Sequence, residues 1–109
     1  MTPRLSVCVI TRDEAANIEA CLRSADFADE WIVVDSGSTD DTRDIARAAG
    51  ARVVERAWTG YVDQKNFALD QATGEWVLSL DADERVSDPL RNAIMSVLEA
   101  FDAQDSYTM

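Results

Sequence analysis

The chain has 109 residues, 47% of them hydrophobic and 28% charged, which suits one small globular domain and not a disordered segment. Its 21 acidic residues against 10 basic ones leave a net charge of -11, so a nucleic-acid backbone and an anionic membrane surface are poor partners. There is no histidine, which excludes imidazole acid–base chemistry and His-ligated zinc.

Leu5 to Ile10 is a short apolar, β-branched run that predicts a buried strand. It is too short for a signal-peptide core or a membrane span. Asp13 to Ser24 follows, with Ala15, Ile18, Leu22 and Ala25 at helical spacing. Trp31 to Val34 predicts a second buried strand ending at Asp35. Ser36-Gly37-Ser38 is a turn, and Thr39-Asp40-Asp41 reads as the cap and first turn of a helix running to about Ala49 and stopped by Gly50. Ala51 to Glu55 predicts a third strand, and Trp58 to Tyr61 a loop. Val62 to Ala72 predicts a helix closed near Gly74, and Glu75 to Leu80 the fourth strand. Asp88-Pro89 opens a last helix, with proline at its favoured first position. Leu90, Ile94, Val97, Leu98 and Phe101 give that helix an apolar stripe, expected to be core. Asp102 to Met109 show no pattern and are expected to be irregular.

The order βαβαβαβα predicts a parallel sheet with right-handed crossovers. Four strands are few for such a sheet, which suggests part of a larger domain. Cys8 lies inside the first run and reads as a small buried hydrophobe. Cys21 falls on a helix face. Neither belongs to a metal or disulfide pattern, and two such thiols fit a reducing cytosol.

In an open parallel sheet, ligands bind beyond the carboxyl ends of the strands. Three predicted strands end in unusual chemistry: Thr11-Arg12-Asp13-Glu14, Asp35-Ser36-Gly37-Ser38 and Asp81-Ala82-Asp83. The opposite ends carry nothing comparable. Asp81 and Asp83 are two positions apart, so on extended backbone their carboxylates face the same way. Such a pair suits a divalent cation whose shell a phosphate completes. The alternative is a solvated acidic turn before the last helix. Asp13 and Glu14 have a plain reading too, as complements to a helix dipole. Thr39, Asp40 and Asp41 read more readily as caps than as ligands. Lys65 is either a surface lysine or a group reaching a diphosphate or base, and Trp58 and Tyr61 are either packing or binding residues. Asp35 closes an apolar strand, where a buried carboxylate needs donors.

Neither Gly-x-Gly-x-x-Gly nor a P-loop is present. A nucleotidyltransferase is expected to have a glycine-rich, basic first loop, and here it is Thr-Arg-Asp-Glu. An Asp-nucleophile phosphatase usually has Thr two residues after Asp-x-Asp, where this chain has Arg85. A receiver-type signalling module wants a phosphoacceptor Asp ending strand three, where this chain has Glu55-Arg56-Ala57, and a fifth strand. An inert fold fragment, associating through a bare sheet edge, is a third reading.

Taken together, Val9 to Glu14, Val33 to Thr42, Gln64-Lys65-Asn66 and Trp76 to Glu84 resemble the family 2 glycosyltransferases of the GT-A fold. The resemblance spans about residues 5 to 100. Gln-Lys-Asn and Ser-Leu-Asp-Ala-Asp-Glu are most similar to the lipopolysaccharide-core β-glucosyltransferase branch.

The resemblance implies that residues 1–109 are the donor-binding half of one GT-A domain, without the acceptor-binding half. It implies a UDP-sugar donor, glucose above all, and a lipopolysaccharide-core or related glycan acceptor. Thr11, Arg12, Glu14, Asp35, Ser36, Lys65 and Asp81 would bind the nucleotide-sugar. Asp81 and Asp83 would hold Mg²⁺ or Mn²⁺. Transfer would invert the anomeric centre in one displacement, with a carboxylate base from a segment beyond this chain, so no catalytic base is named. Many members have a second Asp where Ser36 stands. The implied location is cytoplasmic, with the full-length protein peripheral at the inner face of the inner membrane.

Overall fold

The computed structural model describes residues 4–108, and the side chains of residues 4–100. Four parallel strands form one sheet in the order β3-β2-β1-β4, with β1 Leu5–Thr11, β2 Glu30–Asp35, β3 Arg52–Glu55 and β4 Trp76–Asp81. The helices are α1 Ile18–Ser24, α2 Thr42–Ala48, α3 Tyr61–Gln71 and α4 Asp88–Thr108. This is the expected alternation.

The topology follows from which strands are apolar on both faces. β1 has neighbours on both sides and is buried along nearly its whole length. Leu5, Val7 and Val9 face α1, α2 and α4, while Cys8 and Ile10 face α3. Two clusters result. The larger packs Ile18, Cys21 and Leu22 of α1 and Ala46 of α2 on one side of the sheet. The smaller packs Phe67 and Ala68 of α3 on the other, against Cys8, Ile32 and Val34. The connections from β1 to β3 step one way across the sheet. The β3-to-β4 connection steps back past β2 and β1, and a right-handed crossover then places α3 on the opposite face.

Several expectations need correction. α1 begins at Ile18, not Asp13. Asp13 adopts a positive φ of 53°, and the Glu14 and Ala15 amides donate to Thr42 Oγ1 and Asp40 Oδ2, so tertiary bonds take this stretch out of the helix. α2 likewise begins at Thr42, because the Thr39 and Asp40 amides donate to the Asp13 carboxylate. Asp40 alone of the three expected caps serves the first turn with its side chain, accepting from the Thr42 amide and hydroxyl. Gly50, with φ of 98°, stands just past α2, as its stop signal requires. Gly74 is fixed by space: an added Cβ would come within 2.6 Å of Ser6 Oγ.

β4 is a half-buried edge strand. Trp76, Leu78 and Leu80 turn toward the larger core, while Val77 and Ser79 are exposed. The apolar stripe of α4 is core only in part. Ile94 and Leu98 pack on the larger cluster, whereas Leu90 and Val97 are exposed; the side chain of Phe101 lies outside the described ones. The expected irregular tail is helical to Thr108, because no glycine or proline follows Pro89 to stop α4. Met109 lies outside the described residues.

Candidate functional site

Strand order reverses between β1 and β4, because β2 and β3 lie to one side of β1 and β4 to the other. Loops leaving such a switch point diverge and leave a crevice at the carboxyl ends. An open cleft of about 520 Å³ lies there. Thr11, Arg12 and Glu14 line it from the end of β1, Ser36 from the end of β2, and Asp81 and Asp83 from the end of β4. Trp58 and Tyr61, each half exposed, also line it, which favours the binding reading of these aromatics.

Of the eight residues expected to bind nucleotide-sugar or metal, six therefore line the cleft, and Lys65 stands outside its lining. Asp35 does not join them. Its side chain is fully buried. Oδ1 accepts from Thr11 Oγ1 at 2.7 Å and from the Ser38 hydroxyl, and Oδ2 accepts from the Gly37 and Ser38 amides at 3.1 and 2.9 Å. Arg43 Nε stands 3.9 Å away. Burial pushes this carboxyl up, but the Ser38, Thr11 and Gly37 bonds outweigh it and hold Asp35 below the ordinary carboxylate range. With these donors engaged, Asp35 has no face to offer a base or ribose. It fixes Thr11 and the Ser36 turn, whose amide and hydroxyl donate to the Thr11 carbonyl.

Asp13 is a second organiser, and its bonds cross to another loop where the plainer of its two expected roles was to complement a helix dipole. Its amide donates to Ser38 Oγ, and its carboxylate accepts from the Thr39 amide at 2.6 Å. These reciprocal bonds tie the β1 loop to the β2 loop. Arg43, which bonds the Ser38 carbonyl and pairs with Glu55, gave no signal in the sequence, since its partners lie in other segments.

The end of β4 is built differently. Asp81 is the last strand residue, and Ala82-Asp83 form a turn closed by the Glu84 amide on the Asp81 carbonyl at 2.9 Å. The extended i, i+2 geometry expected for the two carboxylates is thus replaced by a turn, although both reach the cleft. Glu84 accepts from the Asp81 amide, and Arg85 bonds the Ala82 and Glu84 carbonyls and Asn17. Asp81 Oδ1 accepts from Tyr61 Oη at 3.2 Å and lies 3.4 Å from Lys65 Nζ. Lys65 thus reaches the cleft wall through Asp81. The Tyr61 hydroxyl raises the Lys65 pKa most, partial burial opposes it and the Asp81 carboxylate adds to the rise, so the ammonium sits above its ordinary value.

Asp81 and Asp83 are hard oxygen donors on one cleft, which fits a divalent cation that takes the rest of its shell from a ligand. Among the described residues no group of three or more His, Cys, Asp or Glu could cage a metal unaided. Cys8 and Cys21 are free, buried thiols, each pushed up to about 11 mainly by desolvation, and neither is a nucleophile at neutral pH. No helix among the described residues is long and apolar enough to cross a membrane.

The model of the family "Glycosyl transferase family 2" matches residues 6–106. An uncharacterized glycosyltransferase of Rickettsia bellii is 45% identical over 108 residues, which is 98% of this chain and 36% of that protein. The lipopolysaccharide core biosynthesis glycosyltransferase LpsC of Rhizobium meliloti is 38% identical, over 94% of this chain and 40% of that one. Among solved structures, glucosyl-3-phosphoglycerate synthase of Mycobacterium tuberculosis with UDP superposes with a TM-score of 0.66 at 34% identity, covering 75% of this chain and 34% of that chain. The same enzyme is also known with Mn²⁺, UDP and glucosyl-3-phosphoglycerate, at a TM-score of 0.64 and 33% identity, over 73% and 33% of the two chains. The chain spans well under half the length of the curated relatives it matches.

Proposed function

The chain belongs to glycosyl transferase family 2, and from that premise we propose that it is the donor-binding half of an inverting glycosyltransferase. The donor is a UDP-hexose, UDP-glucose first, and the acceptor a lipopolysaccharide-core or related glycan. The observation that carries this reading is the convergence of Thr11, Arg12, Ser36, Asp81 and Asp83, from three distant segments, on one cleft at the switch point. The UDP in the mycobacterial structures supports the donor, and the name of the Rhizobium relative supports the acceptor class. Work on a cytoplasmic nucleotide-sugar fits two free, unpaired thiols.

In this reading Thr11 and Ser36 shape the wall for the base and ribose, held by Asp35 from beneath. Arg12 supplies positive charge in a cleft otherwise rich in carboxylates. Trp58 and Tyr61 offer flat apolar surface to the base or sugar. Asp81 and Asp83 would hold Mg²⁺ or Mn²⁺, which offsets the negative charge of the departing diphosphate. No catalytic base and no acceptor contact is assigned among these residues.

Titration of the ¹⁵N-labelled chain with UDP-glucose, with and without Mn²⁺, tests the proposal. The expected result is metal-dependent shifts at the Thr11, Ser36 and Asp83 amides. Shifts confined to other surfaces, or indifferent to the metal, would overturn it.

A further inference from the structure

Lys65 stands outside the cleft lining but is ion-paired with the cleft carboxylate Asp81. Asp81 Oδ1 receives both Tyr61 Oη and the Lys65 ammonium, and Lys65 Nζ also stands 4.9 Å from the centre of the Tyr61 ring. Asp83, by contrast, is exposed and has no ion pair among the described residues. A divalent ion held by Asp81 and Asp83 would therefore share the Asp81 carboxylate with an ammonium and sit beside a like charge. The Lys65 and Asp81 side chains are 27% and 44% exposed, so their pairing is screened by water and readily exchanged.

We infer that Lys65 makes cation binding conditional on the nucleotide. Without a diphosphate, Lys65 holds Asp81 Oδ1 and weakens the metal. A diphosphate in the cleft offers the ammonium a more negative partner, Lys65 passes to a phosphate oxygen, and Asp81 is released to the cation. Lys65 is then a positioning residue whose exchange couples two ligands, and thermodynamic linkage requires the coupling to be mutual. This rests on the donor-binding reading above. The consequence is a site that does not fill with free metal and does not hold free nucleotide tightly, but takes the two together.

The test measures Mn²⁺ affinity of the 109-residue chain alone and with saturating UDP, for wild type, Lys65→Met and Arg47→Met. Methionine keeps the apolar stem of Lys65, and circular dichroism checks that each variant folds. Lys65→Met is expected to tighten Mn²⁺ alone by about 3- to 10-fold and to shrink the effect of UDP on Mn²⁺ affinity by a similar factor. Arg47→Met removes the same charge from α2, away from the cleft lining, and is expected to change Mn²⁺ alone by less than about 2-fold. Tyr61→Phe removes the other Oδ1 partner and should tighten Mn²⁺ alone more weakly than Lys65→Met, with the UDP effect retained. Equal tightening in the Lys65 and Arg47 variants, or no tightening in Lys65→Met, overturns the inference. Failure of wild type to bind UDP even with Mn²⁺ overturns the donor-binding proposal and the coupling with it, whereas UDP binding whose effect on Mn²⁺ is unchanged in Lys65→Met overturns the coupling alone.

Discussion

The ends of β2 and β4 start from the same local sequence, an apolar strand closed by an aspartate, and finish in opposite states. Asp35 is sealed, with hydrogen bonds to both carboxylate oxygens from Thr11, Gly37 and Ser38. Asp81 faces a cleft and shares one oxygen between a phenol and an ammonium. The difference comes from sheet position. β2 lies between β1 and β3, so the loop after it packs against its neighbour's loop. β4 is at the edge, beside the crevice where the order turns back. One carboxylate therefore builds the wall, and the other stays open to the cleft.

The contrast breaks most readily at Asp35. Asp35→Ala strands the Gly37 and Ser38 amides and two hydroxyls, and is expected to lower stability by about 3 kcal/mol, read from urea unfolding. A loss under about 1 kcal/mol would mean that water replaces the carboxylate and the loop is not organised from beneath. Acid gives a second view of the same group. Because Asp35 titrates below its unfolded value, its contribution is present above about pH 4 and is lost as pH falls through the lower folded value. Glu30, Asp40 and Asp63 are also lowered, so the informative measurement is the difference between wild type and Asp35→Asn. That difference should shrink as pH drops below about 4.

Thr11→Val keeps shape and removes one donor to Asp35, so a loss of about 1 kcal/mol is expected. UDP affinity should fall with it if the Thr11 wall is what the nucleotide meets. At the other strand end the sign of the comparison reverses. Asp81→Asn and Asp83→Asn are expected to move the melting temperature by no more than about 2 °C, since neither is sealed in the core. Both should abolish the Mn²⁺ dependence of the UDP-induced amide shifts. A large thermal loss in either variant would put Asp81 in the same structural class as Asp35 and erase the distinction.

Much of the fold was readable from local pattern. Leu5 to Ile10 and Trp31 to Val34 are apolar on both faces, which only a central parallel strand satisfies, and both became strands flanked by helices on each side. Helix starts were less readable. Asp13 and Thr39 look like entry signals in isolation, yet each bonds the other's loop, a contact between residues 26 positions apart. The stripe of α4 looked like core because periodicity reports which residues share a face, not whether that face is covered. Leu90 and Val97 share the face and remain exposed.

The chain's own order of residues determined the alternation of strands and helices and the clustering of polar groups at the carboxyl ends, because hydrophobic period and strand polarity are local properties. Which aspartate is buried and which is open was decided only when β4 took the far edge beside β1 and placed α3, with Tyr61 and Lys65, over the end of that strand. A carboxylate's role depends on the donors that surround it, and those donors come from segments that only the folded chain brings together.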